Sequence, residues 1–426
     1  MHLSLSPGSE PNRYALAALC KAGESFSIIA SQDIVDFRGV KLWARDQPVT
    51  AALQQRLLER RLQQPLEVCL HAEGGVTLFT LMHDMQEFIE SETNPLAAAL
   101  RPWASVLVAQ LKQIPLHSVP QLLLTTAAAT RQAALSHAVA GMALAGAMMA
   151  SREASHHDVR LAMLGGLLHD IGEVYINPLY LDYTQALDIV GHKHLVVHPR
   201  VAQMLLGTLT DYPAALCQAV AEHHERLDRS GYPARLGGEA ISTIGRVLAV
   251  VEVTLGSLCA LNAPLTRASF ALRVVPGEFD PVWASFVCDA AQEADEAFEG
   301  QSRPVAPALA AQLADIDHQL AEARQLALDL SEQRRVSTIT DVVTNALQRL
   351  DRLRLAWNAL GLWGLGDGKA AGELPASERL ELELAESELR QRMRAFHREC
   401  LLLSEGLTEA EKFRLSPLWR GLTDPP

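Results

Sequence analysis

Aromatic residues are scarce. Phe, Trp and Tyr make up 5% of the 426 residues, although hydrophobic residues reach 49%. With alanine and leucine abundant, this balance favours helices packed on helices over a β-sandwich. Basic residues are outnumbered, 37 Lys and Arg against 50 Asp and Glu, for a net charge of −13. That sign excludes broad binding to double-stranded nucleic acid, which needs a cationic surface. It leaves room for a small anionic substrate, because a metal supplies positive charge locally.

Further absences narrow the class. The six cysteines (Cys20, Cys69, Cys217, Cys259, Cys288 and Cys400) form no CxxC pair. They are read as reduced core residues of a cytoplasmic protein. The first twenty residues lack a basic start followed by a long apolar run, so no signal peptide is expected. The most apolar run, Ala138 to Ala150, is too short to span a bilayer and suits a buried helix; no membrane insertion is expected. A Gly-rich phosphate loop, internal repeats and low-complexity tracts are also missing.

A chain of this length predicts two or three domains in a mainly α protein. Residues 1–125 read as a small α/β accessory region. It holds a hairpin turning at Arg38-Gly39, an amphipathic helix opened by Thr50, a strand within "LEVCLHAEGG" and a helix through Trp103 to Ile114. Residues 126–304 read as a wholly helical domain. There Ser155 caps a helix with Asp158 three residues on, Pro199 and Pro213 open helices, and Glu278 to Trp283 closes the domain. Residues 305–426 carry charged amphipathic helices separated by "GLWGLGDGKAAGELPASE", a flexible connection. These helices form either an antiparallel pair for a homodimer or signalling partner, or a tail packed on its own domain.

Chemistry gathers in the middle segment: His137, His169-Asp170, His198, His223-His224 and Glu252. A lone histidine on an apolar helix is ordinarily a hydrogen-bonded core residue. An ionised carboxylate following "AMLGGLL" is different, because it must be paired or bind a metal. Adjacent helical residues point about 100° apart, so one ion cannot easily use both members of each pair. Two ions about 3.5–4 Å apart remove the difficulty and suit phosphate-ester hydrolysis. Imidazole and carboxylate without thiolate suit iron, manganese or zinc better than calcium or magnesium.

The ordered motifs "SHAVAG", "LLHDIGE", "HPRVA", "HHERLDRSGYP" and "ISTIGRVLAVVEV" resemble the HD-GYP branch of the HD-domain phosphohydrolases, over about 170 residues. The resemblance implies a helical domain that hydrolyses the bacterial second messenger cyclic di-GMP to the linear dinucleotide or GMP. Two divalent ions would generate the attacking hydroxide. It also implies metal ligation by His137, His169, Asp170, His198, His223, His224 and Glu252, with Asp170 bridging. Tyr232 would order the mouth of the site.

The sequence departs from that pattern in several places. Glu173 stands where HDIGK has a lysine facing the substrate phosphate, so it is a catalytic position of altered charge; repulsion is expected unless it turns to solvent or pairs with an arginine. Glu252 stands in place of Asp. Arg229 replaces a glycine and is a candidate for restoring the lost cation. After Glu252 the polar substrate-holding stretch is missing, with Arg267 the nearest base. "RQAAL" lacks an acid for a third metal. His156, His157, His192 and His194 read as surface residues, and Asp228 as ordering a turn. The active phosphodiesterase competes with three alternatives: a metal-retaining regulatory protein without turnover, a hydrolase of another phosphate ester, and a metal-free scaffold.

Overall fold

Helices dominate the computed structural model, which describes residues 9–58, 60–181, 187–260, 262–294, 306–332, 339–361 and 375–420. By backbone contacts the chain divides into two units, Met1–Cys259 and Ala260–Pro426.

The first unit opens with α1 (Arg13–Ala22), capped by Asn12, whose side chain accepts from the amides of Tyr14 and Ala15. Among its described residues the strands are β1 (Ser27–Ala30), β2 (Ile34–Val35), β3 (Lys41–Trp43) and β4 (Leu70–Glu73). The expected hairpin is β2–β3, turning through Gly39 at φ +84, and β1 pairs antiparallel with β4. Between them α2 (Ala51–Leu57) follows Thr50, which makes no side-chain capping bond. The helices α3 (Leu78–Glu90), α4 (Ala97–Leu100) and α5 (Ala104–Leu111) follow. Leu16, Leu19, Ile28, Leu53 and Leu70 share one core with Leu122 of α6 (Ser118–Thr130), which fastens the small sheet region to the helices.

The apolar run becomes α7 (Ala134–Ala150), buried continuously from Ala138 to Ala150. It packs against α8 (His156–Leu168), whose cap is Ser155, accepting from the Asp158 amide at 3.1 Å. A Cβ on Gly166 would lie 2.3 Å from Gly141 O, so these two helices touch backbone to backbone. The stretch from Thr125 to Ala150, free of proline, nevertheless breaks: α6 stops at Thr130 and Arg131 is extended, with φ −137. A tertiary contact of Arg131, described below, overrides local helix propensity there. After a 3-10 turn at Ile171–Tyr175 come α9 (Ile189–Leu195), α10 (His198–Leu209), α11 (Ala214–Glu222) and α12 (Thr243–Leu258). Pro199 and Pro213 open α10 and α11 as expected.

The second unit contains α13 (Pro264–Arg273), α14 (Pro281–Glu293), α15 (Pro307–Glu332), α16 (Thr340–Ala359), α17 (Ala376–Leu403) and α18 (Glu409–Arg420). Leu313, Ile316, Leu320, Leu353, Trp357, Leu389 and Phe396 bury the apolar faces of α15, α16 and α17 in one core. The buried guanidinium of Arg392 meets Glu278 at 3.1 Å. The Glu278–Trp283 segment, expected to end the central domain, lies inside this unit, where Asp280 caps α14. The expected flexible connection falls mostly on 362–374, outside the described residues.

Candidate metal centre

Three imidazoles are aimed by one device. His169 and His223 cap the C-termini of α8 and α11, and His198 begins α10 just after α9. Each sets its Nδ1 against the carbonyl three residues earlier: His169 on Gly166 at 2.9 Å, His198 on Leu195 at 2.8 Å, His223 on Val220 at 2.7 Å. Only an N–H can face a carbonyl at that distance, so Nδ1 carries a proton and Nε2 is the nitrogen that points inward. Ligand histidines are oriented this way by outer hydrogen bonds. The glycines complete the placement. Gly141 and Gly166 bring together His137, one turn before the first, and His169, three residues after the second. A Cβ on Gly172 would sit 2.1 Å from His198 O, so its absence admits the start of α10.

The donor atoms fall into two groups that share Asp170. In one, His137 Nε2 and His169 Nε2 stand 3.1 Å apart. Each is 3.3 Å from Glu252 Oε2, and they lie 3.4 and 3.3 Å from Asp170 Oδ2. In the other, His198 Nε2 and His223 Nε2 stand 3.1 Å apart and lie 3.4 and 3.5 Å from Asp170 Oδ1, with His224 completing the group. Donors bound to one ion at about 2.1 Å are about 3.0 Å apart at a right angle and about 3.4 Å apart at the tetrahedral angle. The observed separations fit that range.

Two further observations fit a cation. The apposed Nε2 atoms of His198 and His223, 3.1 Å apart, must share a positive charge between them, either a proton held on His198 or a metal ion. Glu252 Oε2 is buried and makes no well-aligned hydrogen bond, although two imidazole nitrogens lie 3.3 Å from it. The extra methylene of Glu252 therefore still delivers an oxygen to the cluster.

Electrostatics sort the groups. Burial opposes charge on Asp170, yet His169, His198 and His223 hold its carboxyl well below the usual range. Glu252 is likewise held low against burial by His137 and His169. His169 stands well above an ordinary imidazole because Asp170 and Glu252 outweigh its burial. Burial pushes His223 down to about 4, with His169 and His198 adding to the effect and Asp170 opposing it. His224 is depressed by burial and by His223. Burial acts against charge on His137 and His198 as well, yet Glu252 raises the first and Asp170 the second above an ordinary imidazole. The two carboxylates and the pair His223 and His224 thus stand in the states a metal requires, and ligation by His137, His169 and His198 would displace a proton.

The Gly-Tyr-Pro loop closes over the second group. Tyr232 stacks on His224, with ring centroids 4.5 Å apart. A Cβ on Gly231 would meet His224 O at 2.3 Å, so glycine is needed for the loop to lie flat on the preceding helix end. The loop is tied by Glu225, whose two oxygens accept from the amides of Ala234 and Leu236. Asp228 accepts from Ser230 N at 3.0 Å within the turn. Sequence reasoning missed Glu225, although its place directly after the histidine pair was the available signal.

The remaining predicted site positions make contacts of their own. Glu173 is only 2% exposed and meets Arg131 Nη1 at 2.5 Å, so it pairs with an arginine and does not face a ligand bare. Arg229 is exposed at φ +68, the left-handed region that favours glycine, and its side chain packs against Gly237. Arg267 belongs to the second unit, where its Nε donates to Asn262 O at 2.9 Å. His156 and His157 are exposed. His192 and His194 are not simply surface residues: the His192 ring lies 6.4 Å from Tyr232, and His194 stacks on Tyr180 at 5.3 Å. A third acidic group, His83, Asp84 and Glu87, lies on α3 and is largely exposed.

Residues 120–271 match the family described as HD domain. This segment is an HD domain. It is similar to a cyclic di-GMP phosphodiesterase of Pseudomonas aeruginosa, 34% identical over 117 residues, covering 28% of each chain. It is also similar to a cyclic di-GMP phosphodiesterase response regulator of Xanthomonas campestris, 33% identical over 100 residues, covering 23% of this chain and 26% of the relative. A 3′3′-cGAMP-specific phosphodiesterase of Vibrio cholerae is 35% identical over 96 residues, covering 21% of each chain. The match thus spans between a fifth and 28% of the length of these relatives. No solved structure matches. All donor atoms of the two groups lie within the HD domain. Among the described residues, no helix is long and apolar enough to cross a membrane.

Proposed function

We propose that the chain is a metal-dependent phosphodiesterase that opens cyclic di-GMP to the linear dinucleotide or GMP. The observation that carries this reading is the division of Asp170, with Oδ1 toward His198 and His223 and Oδ2 toward His137 and His169. Two divalent ions, iron or manganese, would be held by His137, His169, Glu252 and Asp170 on one side, and by Asp170, His198, His223 and His224 on the other. Bound there, such ions acidify water and offset charge on the phosphoryl oxygens.

The chain's own groups prepare for that chemistry. Carbonyl-anchored rings keep their Nε2 atoms fixed, so little reorganisation accompanies ligand entry. Asp170 keeps both oxygens engaged and ionised. Tyr232 covers His224 and limits water at the second group. The names of the Pseudomonas and Xanthomonas relatives support cyclic di-GMP as substrate, while the Vibrio relative makes 3′3′-cGAMP the nearest competitor.

The test is a turnover assay on purified protein loaded with Mn²⁺ or Fe²⁺, offering cyclic di-GMP, 3′3′-cGAMP and a linear phosphodiester side by side. Preferential cleavage of cyclic di-GMP supports the reading. Tight binding without cleavage makes the protein a regulatory binder, and preference for the linear ester replaces the substrate.

A further inference from the structure

We propose that Arg131 is the side chain that receives the substrate's phosphodiester beside the metal centre, and that Glu173 is its positioning residue. This rests on the phosphohydrolase reading above. A carboxylate as buried as Glu173 needs a partner, and it has one in Arg131, whose own side chain remains 27% exposed. The anionic half of the pair is therefore inside and the cationic half reaches solvent.

Its place follows from the chain. Glu173 comes three residues after Asp170 and donates its amide to Asp170 O at 2.9 Å. Arg131 comes six residues before His137, in the short break between α6 and α7. The ion pair thus joins the chain just before the helix that carries His137 to the turn just after His169 and Asp170. The charge of Glu173 also bears on His198.

The cluster already contains two carboxylates, Asp170 and Glu252, and a third beside it would repel a phosphodiester. Arg131 cancels that third charge. It also offers a planar guanidinium of the kind that matches phosphate oxygens in pairs. Two arginines of the Gly-Tyr-Pro segment are committed differently. Arg226 donates to the carbonyls of Glu225 and His223, and Arg229 lies along Gly237.

The test uses the full chain loaded with Mn²⁺, titrated calorimetrically with cyclic di-GMP and with inorganic phosphate. Because Arg131→Gln alone strands a buried carboxylate, the decisive variant is Arg131→Gln combined with Glu173→Gln. It is accompanied by Arg131→Lys and by metal analysis of each protein. The double variant is expected to keep the wild-type metal content and to bind both ligands about 10- to 100-fold more weakly. Arg131→Lys is expected to recover part of that loss. A folded, metal-loaded double variant that binds like wild type overturns the role of Arg131, and if it also cleaves like wild type the phosphodiesterase reading survives alone. Wild type that binds but does not cleave, with binding lost in the double variant, supports Arg131 while overturning the catalytic reading. Wild type that binds neither ligand overturns both.

Discussion

Asp170 turns Oδ1 to within 3.4 Å of His198 Nε2, and the far side of that imidazole is held by the Leu195 carbonyl. The carboxylate therefore reaches the second donor group with one oxygen while Oδ2 serves the first. If each group holds its own ion, the two should be separable. His198→Ala is expected to lose one bound equivalent of Mn²⁺ and keep the other, and His137→Ala to lose the opposite one. Elemental analysis of both variants checks this. Loss of all metal in each would mean a single cooperative site.

The backbone contact between α7 and α8 makes a sharper stability prediction. In Gly166→Ala the new methyl would lie 2.3 Å from Gly141 O and 2.8 Å from Met142 N, with no flexible side chain to yield. Helix separation is expected to cost about 1–3 kcal/mol or more and to spread His137 from His169, weakening metal binding. Gly207→Ala is the control, since its Cβ would meet nothing closer than Cys217 Sγ at 3.9 Å. Chemical denaturation should show the first variant destabilised and the second unchanged or stabilised.

A buried acid away from the metal ligands gives a pH prediction. Tyr175 donates to the fully buried Glu67, whose carboxyl burial pushes above its ordinary value near 4.5. The folded state then holds this proton more tightly than the unfolded state. The associated stability is complete below about 4.5 and is lost as pH rises through the folded value. Glu67→Gln keeps an acceptor for Tyr175 and has no charge to bury. Its melting temperature should exceed that of wild type at pH 8, with the gap closing toward pH 4. A gap independent of pH would show that Glu67 does not titrate as described.

Much of the centre was legible because the residue types are rare in apolar surroundings and occur in a fixed order. His137, His169, Asp170, His198, His223, His224 and Glu252 stood out against alanine- and leucine-rich helices, and the structure brings their donor atoms together. What was not legible depends on distant pairing. Arg131 sits in a stretch of good helix formers, and nothing local foretells that it leaves the helix to meet Glu173. His192 looked like a surface residue because only the fold brings it to Tyr232. Arg229 resembled a substitute cation, but its left-handed backbone sends the side chain over Gly237. The runs that become β1 and β2 were readable from their β-branched residues, whereas the pairing of β1 with the distant β4 was not.

The bridging role of Asp170 is tested most directly by counting metal in wild type and in Asp170→Ala, both purified after loading with Mn²⁺ and removal of excess. Two ions per chain in wild type and fewer than one in the variant are expected, with folding retained by circular dichroism. Equal metal content in the two proteins would contradict the account.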